Sequence, residues 1–166
     1  MPTLSVGKRS KTQAGVTLLE LIVVVALIAL LIGIAFPSIS SGIDTLRLNS
    51  AAQNVVTFIN GGLNRAERRQ TLVEVTVSKA DGTVSMRSSE PGFERKLQMP
   101  EGISISGILP ELPGHDEEVS RSFYLYPGGT VPAFGVELVN AKHSSRVVKV
   151  DPITGTPQID SGMKEQ

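Results

Sequence analysis

Residues 14–25 read Ala14-Gly15-Val16-Thr17-Leu18-Leu19-Glu20-Leu21-Ile22-Val23-Val24-Val25, an apolar run that opens behind a glycine and carries a carboxylate near its start. Val16 to Phe36 contains no other charge. As a helix this segment would be about 30 Å long, which matches the hydrocarbon core of a bilayer. Lys8, Arg9 and Lys11 precede it, and residues 1–15 contain no acid. The positive-inside tendency therefore places the N-terminus in the cytoplasm and the rest of the chain across the membrane. An ordinary secretory signal needs a shorter apolar core followed by a small-residue cleavage site. Here Ala35-Phe36-Pro37-Ser38 leads directly into more helical sequence.

Downstream, apolar residues recur at steps of three and four: Ile39, Ile43 and Leu46, then Ala52, Val55 or Val56, Ile59, Leu63 and Ala66. This spacing predicts a one-sided stripe, with Ser40, Asp44, Arg47, Asn54, Asn60 and Asn64 on the other face. The helix is expected to end near Arg68-Arg69, where cations suit a C-terminus. Pro37 should kink it or loosen the preceding turn, Gly33 should weaken it locally, and Gly61-Gly62 should weaken its last turns.

After Arg69 the period becomes two. Val73, Val75 and Val77 alternate with polar residues, and Asp81-Gly82 is a hairpin signal leading to Val84 and Met86. Leu97 and Met99, then Ile103 and Ile105, flank Pro100-Glu101-Gly102. Residues 107–120 are rich in Gly, Pro and acids and read as an exposed loop. Further strands are expected at Ser122–Tyr126, Phe134–Asn140, Arg146–Asp151 and near Gln158–Asp160. Together these elements predict an α+β protein: a long N-terminal helix, its first half transmembrane, packed by its second half on a mainly antiparallel sheet.

Composition narrows the chemistry. There are 16 basic and 16 acidic residues; without Lys8, Arg9 and Lys11 the balance becomes 13 against 16, a net charge of −3. That is a poor start for a nucleic-acid binder, and aromatics at 4% leave little on which to stack bases. The cations Arg68, Arg69, Lys142, Arg146 and Lys149 are interleaved with acids and read as a solvated sheet edge. There is no Cys, which excludes disulfides and thiolate metal sites. His115 and His143 lack metal-ligand spacing, and His115-Asp116-Glu117-Glu118 has no EF-hand pattern. Gly128-Gly129-Thr130 reads as a tight turn after Tyr126-Pro127 rather than a phosphate loop. No nucleophile elbow or other catalytic constellation appears, so the chain is not expected to be an enzyme or to need a cofactor or metal.

Glu20 remains to be explained. A charged side chain at mid-bilayer costs about 2.5–3.5 kcal/mol on insertion scales. A shallower position costs less but still favours a partner, and no Lys or Arg lies one helical turn away. Cleavage after Gly15 would create a cation, the α-amine of Val16. Five helical residues rise about 7 Å, so a neighbour shifted by that distance would bring its amine to this carboxylate. The pair would then act as a register pin in an assembly.

Gly15-Val16-Thr17-Leu18-Leu19-Glu20, behind a basic leader and ahead of an apolar helix, resembles the class III signal of type IV pilins and type II secretion pseudopilins. The resemblance implies that a prepilin peptidase removes residues 1–15 and methylates Val16. It also implies that Glu20 pairs with a neighbour's N-terminus during assembly. Val16 departs from the commoner Phe or Met, and Pro37 matches a proline of many family helices. Asn64–Val77, Phe123–Thr130 and Val147–Gly155 are similar to the pseudopilin H subgroup. The expected organisation is therefore leader 1–15, assembly helix 16–36, amphipathic helix 37–69 and periplasmic sheet domain 70–166, with Gly15, Val16, Thr17, Glu20 and Pro37 as the residues of interest.

The function implied is that of a minor pseudopilin in an inner-membrane-anchored periplasmic pseudopilus. The implied partners are the prepilin peptidase, major and minor pseudopilins and the inner-membrane assembly platform, with no nucleic acid or small-molecule substrate. Alternatives are a minor type IV pilin serving adhesion or DNA uptake, and a membrane-anchored periplasmic binding domain that never assembles.

Overall fold

The computed structural model describes residues 15–111, 119–129 and 131–161, and for residues 34–41 the backbone alone. One helix, α1 (Leu18–Arg69), is followed by eight strands: β1 (Val73–Ser78), β2 (Thr83–Ser88), β3 (Glu94–Gln98), β4 (Ile103–Leu109), β5 (Ser120–Leu125), β6 (Gly135–Asn140), β7 (Ser145–Val150) and β8 (Pro157–Ser161). The chain divides into two compact units, Met1–Ile39 and Ser40–Gln166.

In the first unit, α1 is apolar on every side from Leu18 to Ile32, and all its large side chains there are exposed. In the second unit, α1 has an inside and an outside. Leu48, Ala51, Ala52, Val55, Ile59 and Ala66 are almost fully buried and recur at helical spacing. Each buried aliphatic side chain of the size of Leu or Ile stabilises by about 1.5–3 kcal/mol. The stripe differs from expectation at its start. Ile43 and Leu46 are exposed, while Leu48 is fully buried. Backbone helix continues through Pro37, whose side chain, like that of Ile39, lies outside the described residues.

Gly61-Gly62 does not end the helix. A Cβ on Gly62 would lie 3.3 Å from Leu125 Cδ1 and 3.5 Å from Met86 Cε. This glycine lets the helix backbone approach sheet A closely.

The strands form an α+β arrangement with the helix, but they make two four-stranded antiparallel sheets rather than one. Sheet A has the order β3-β2-β1-β5, and sheet B the order β4-β6-β7-β8. The Asp81-Gly82 turn joins β1 and β2 as expected, with Gly82 at φ 59. Pro100-Glu101-Gly102 carries the chain from the edge of sheet A to the edge of sheet B. β4 runs to Leu109 and β5 starts at Ser120, so both ends of the expected 107–120 loop are strand. One hydrophobic core unites the second part of α1 with both sheets. Phe123 of β5 and Phe134, just before β6, stack at 4.3 Å between ring centroids and tie the sheets together.

Candidate assembly site at the helix start

Gly15, Val16 and Thr17 precede the first turn of α1, and all three are exposed. The Thr17 Oγ1 accepts the Glu20 N–H at 3.2 Å, and the Thr17 carbonyl accepts the Leu21 N–H at 3.2 Å. Thr17 is thus the N-cap, satisfying an amide that the helix cannot satisfy itself. Thr17-Leu18-Leu19-Glu20 has the Ser/Thr-x-x-Glu spacing of a capping box. The signal is legible in the sequence, yet the expectation above gave Thr17 no such part. Glu20 also benefits from the positive end of the helix dipole. Its position therefore has a local rationale in addition to the intermolecular one.

Beyond Glu20 the helix presents Leu21, Ile22, Val25, Ala26 and Ala29 as part of a continuous apolar surface. Such an all-round apolar helix is stable only when lipid or other helices cover it. Among the described residues, no helix is long and apolar enough to cross a membrane. The run described with its side chains stops at Gly33, short of the Phe36 at which the apolar sequence ends. The leader cations Lys8, Arg9 and Lys11 lie outside the described residues, as do His115-Asp116-Glu117-Glu118 and Thr130.

The cations considered for nucleic acid fall in two places. Lys142 Nζ lies 3.0 Å from Asp44 Oδ2, and Lys149 Nζ lies 3.4 Å from Asp160 Oδ2. Arg146 Nε donates to Asn49 Oδ1 at 2.9 Å, so Lys142 and Arg146 fasten α1 to sheet B. Arg146 and Lys149 lie on β7, an interior strand of sheet B and not an edge, while Lys142 and Lys149 are exposed to solvent as expected. Arg68 and Arg69 lie at the C-terminal end of α1, where the expectation put them.

His143 sits in the β6–β7 turn at φ 61, where its N–H donates to the Asn140 carbonyl. Among the described residues no cluster of His, Asp or Glu could hold a metal ion. Gly128-Gly129 forms the expected turn: the Gly129 N–H donates to the Tyr126 carbonyl, and the Gly128 N–H donates to Glu67 Oε1. The Asp151–Gly155 turn is held by the Ile153 N–H, which donates to Asp151 Oδ1 at 2.8 Å. That bond, helped by the Thr154 hydroxyl and N–H and opposed by slight desolvation, holds the Asp151 carboxyl below its ordinary value of 3.8.

The N-terminal segment thus combines a capped helix start, a carboxylate three residues in and an exposed apolar helix. Residues 10–36 match the family model described as the prokaryotic N-terminal methylation motif. The matched segment is similar to the leader and helix start of type IV pilin-like proteins, pilins and pseudopilins alike. It implies processing by a prepilin peptidase, assembly with pilin-like proteins and anchoring through the N-terminal helix. No curated protein and no solved structure matches the chain.

Proposed function

We propose that this chain is a minor pseudopilin of a type II secretion system, a structural subunit of a periplasmic pseudopilus that helps export folded proteins across the outer membrane. The observation that carries the reading is Glu20, an exposed carboxylate at the start of an all-round apolar helix, within the matched segment 10–36. Cleavage after Gly15 would give the mature chain an α-amine at Val16. In the assembled fibre Glu20 meets a neighbour's amine, and residues 16–36 are held in the inner membrane before extraction. Pro37 lies where that segment gives way to the amphipathic part of α1. Residues 37–69 and 70–166 make the periplasmic part. The pseudopilin reading over a DNA-capturing pilin is supported by the −3 balance without the leader and by the pairing of Lys142, Arg146 and Lys149 within the fold. The similarity of Phe123–Thr130 and Val147–Gly155 to the H subgroup supports a place near the fibre tip.

The test is made in cells with an active prepilin peptidase. Intact-mass analysis should show loss of residues 1–15 and a methylated Val16. Glu20→Ala should still be cleaved but should enter the fibre poorly. Retention of Met1 would sink the leader assignment, and normal incorporation of Glu20→Ala would sink the register pin. Loss of secretion on deletion, with co-purification of pseudopilins, supports the secretion reading. Loss of DNA uptake instead would replace it with the type IV pilus.

A further inference from the structure

Beside α1, on the sheet A side, lies an open groove of about 930 Å³. One wall is the exposed helix face bearing Asn54, Phe58, Gly61 and Arg65, residues spaced by three or four. The other is β3 with Phe93, Arg95 and Leu97. The register explains the placement. Arg95 and Leu97 lie opposite Met86 and Val84, whose side chains are buried beneath the helix, so the same face of β3 continues past the helix. Gly61 leaves room, because a Cβ there would meet nothing within 4 Å.

The charge of this groove is one-sided. Arg65, Arg68, Arg69 and Arg95 line it, and no carboxylate does. Arg65 is fixed by Glu90 at 2.7 Å and lies over the Phe93 ring, with Cζ 3.6 Å from the centroid. Among the described residues, Arg68, Arg69 and Arg95 have no ion pair. Three unneutralised guanidiniums therefore surround a floor of Phe58, Leu97 and Met86. β3 is also an edge strand, so one side of its backbone is open to a further strand.

We infer that this groove binds an extended acidic peptide of a partner protein, with carboxylates on Arg68, Arg69 and Arg95 and one apolar side chain against Phe58 and Leu97. Charge complementarity selects the acids, since Arg offers a planar fork suited to carboxylates. The apolar floor and the open edge select a peptide, which supplies both side chains and ladder hydrogen bonds. A nucleic acid fits less well. Its bases need free aromatic faces, and the Phe93 ring already carries the Arg65 guanidinium. The inference concerns residues 54–97 and does not depend on the pseudopilus reading.

The experiment uses the full chain in detergent and fluorescence anisotropy. The probe is a fluorescein-labelled heptapeptide of glutamates with a central leucine; the controls are the same peptide with glutamines and a single-stranded DNA 12-mer. Saturable binding of the acidic peptide is expected, at least about tenfold weaker for the glutamine version. Arg68→Glu combined with Arg95→Glu should weaken it by a similar factor. Gly61→Leu should block it sterically and leave the domain folded, because a Cβ there meets nothing within 4 Å and the helix gains propensity. Acidic-peptide binding unchanged in both variants would overturn the proposal, as would no binding at about 1 mM peptide. Tighter binding of the DNA, lost in the same variants, would overturn it in favour of a nucleic-acid groove.

Discussion

Between Leu18 and Ile32 every large apolar side chain of α1 is at least 45% exposed, whereas Leu48, Val55 and Ile59 are completely buried in the same helix. Both stretches are rich in Leu, Ile, Val and Ala, and helix propensity does not separate them. The difference lies in the intervening residues. From Leu18 to Ile32 the only polar residue is Glu20, and no face is reserved for water. From Leu48 to Ala66 the buried positions alternate with Gln53, Asn54, Thr57, Asn60 and Asn64, which leave one face for the sheets. The first stretch is exposed among the described residues; the second is covered by the sheets.

The sharpest way to break this contrast is to make one change in both places. Ile59→Ala should destabilise the Ser40–Gln166 unit by about 2–5 kcal/mol in urea unfolding of the full chain in detergent. Leu30→Ala should leave the same transition within about 0.5 kcal/mol. Comparable losses at both sites would mean that the first stretch also packs against the domain.

Neighbouring glycines give the next largest effect. Gly62→Leu must displace Leu125 and Met86 and should cost about 1–3 kcal/mol. Gly61→Ala should instead stabilise by about 0.5–1 kcal/mol, because the helix gains propensity and nothing is in the way. Thermal unfolding of the two variants checks the sign of each change.

Thr17→Ala should weaken the helix start by about 1 kcal/mol. Amide exchange would read this as faster exchange at Glu20 and Leu21, with the unfolding transition of the sheets unmoved. A shift of that transition would couple the helix start to the domain.

The smallest effect is at Asp151, whose carboxyl is held below its ordinary value of 3.8. A depressed native value means stability that is present above pH 3.8 and is lost as pH falls through the lower native value. Asp151→Asn should therefore lower the urea midpoint at pH 7 slightly and lower it less once the pH falls below 3.8, so that the loss of stability on acidification is flatter.

Much of the fold was legible because periodicity is local. The switch after Arg69 from steps of three and four to alternation located the end of α1, and strands β1, β2, β5, β6, β7 and β8 fell within two residues of their observed bounds. Strand pairing is not local. Leu97 and Ile103 alternate alike on either side of Pro100-Glu101-Gly102, and nothing in the pattern says that they belong to different sheets. Leu46 and Leu48 both suit a helical stripe, and only the position of the sheets decides which is buried. At the helix start, Thr17 and Glu20 carried a visible capping signal. The arginine groove carried none, because it exists only when Phe93, just before β3, and Arg95 of β3 are brought beside Arg65.

The order of strands has a kinetic consequence. β4, an edge strand of sheet B, comes between β3 and β5 of sheet A in the chain, and β5 then returns to pair with β1. Val73 therefore waits for Leu125 across a long intervening chain, and each sheet is complete only when residues of the other have been passed. Such distant pairings close slowly and favour an all-or-none transition over piecewise assembly. A chain emerging N-terminus first would display the α1–β1–β2–β3 portion with an unfilled strand position beside β1 until β5 arrived. That interval is when the nascent domain is most open to a wrong strand, and most in need of a holder.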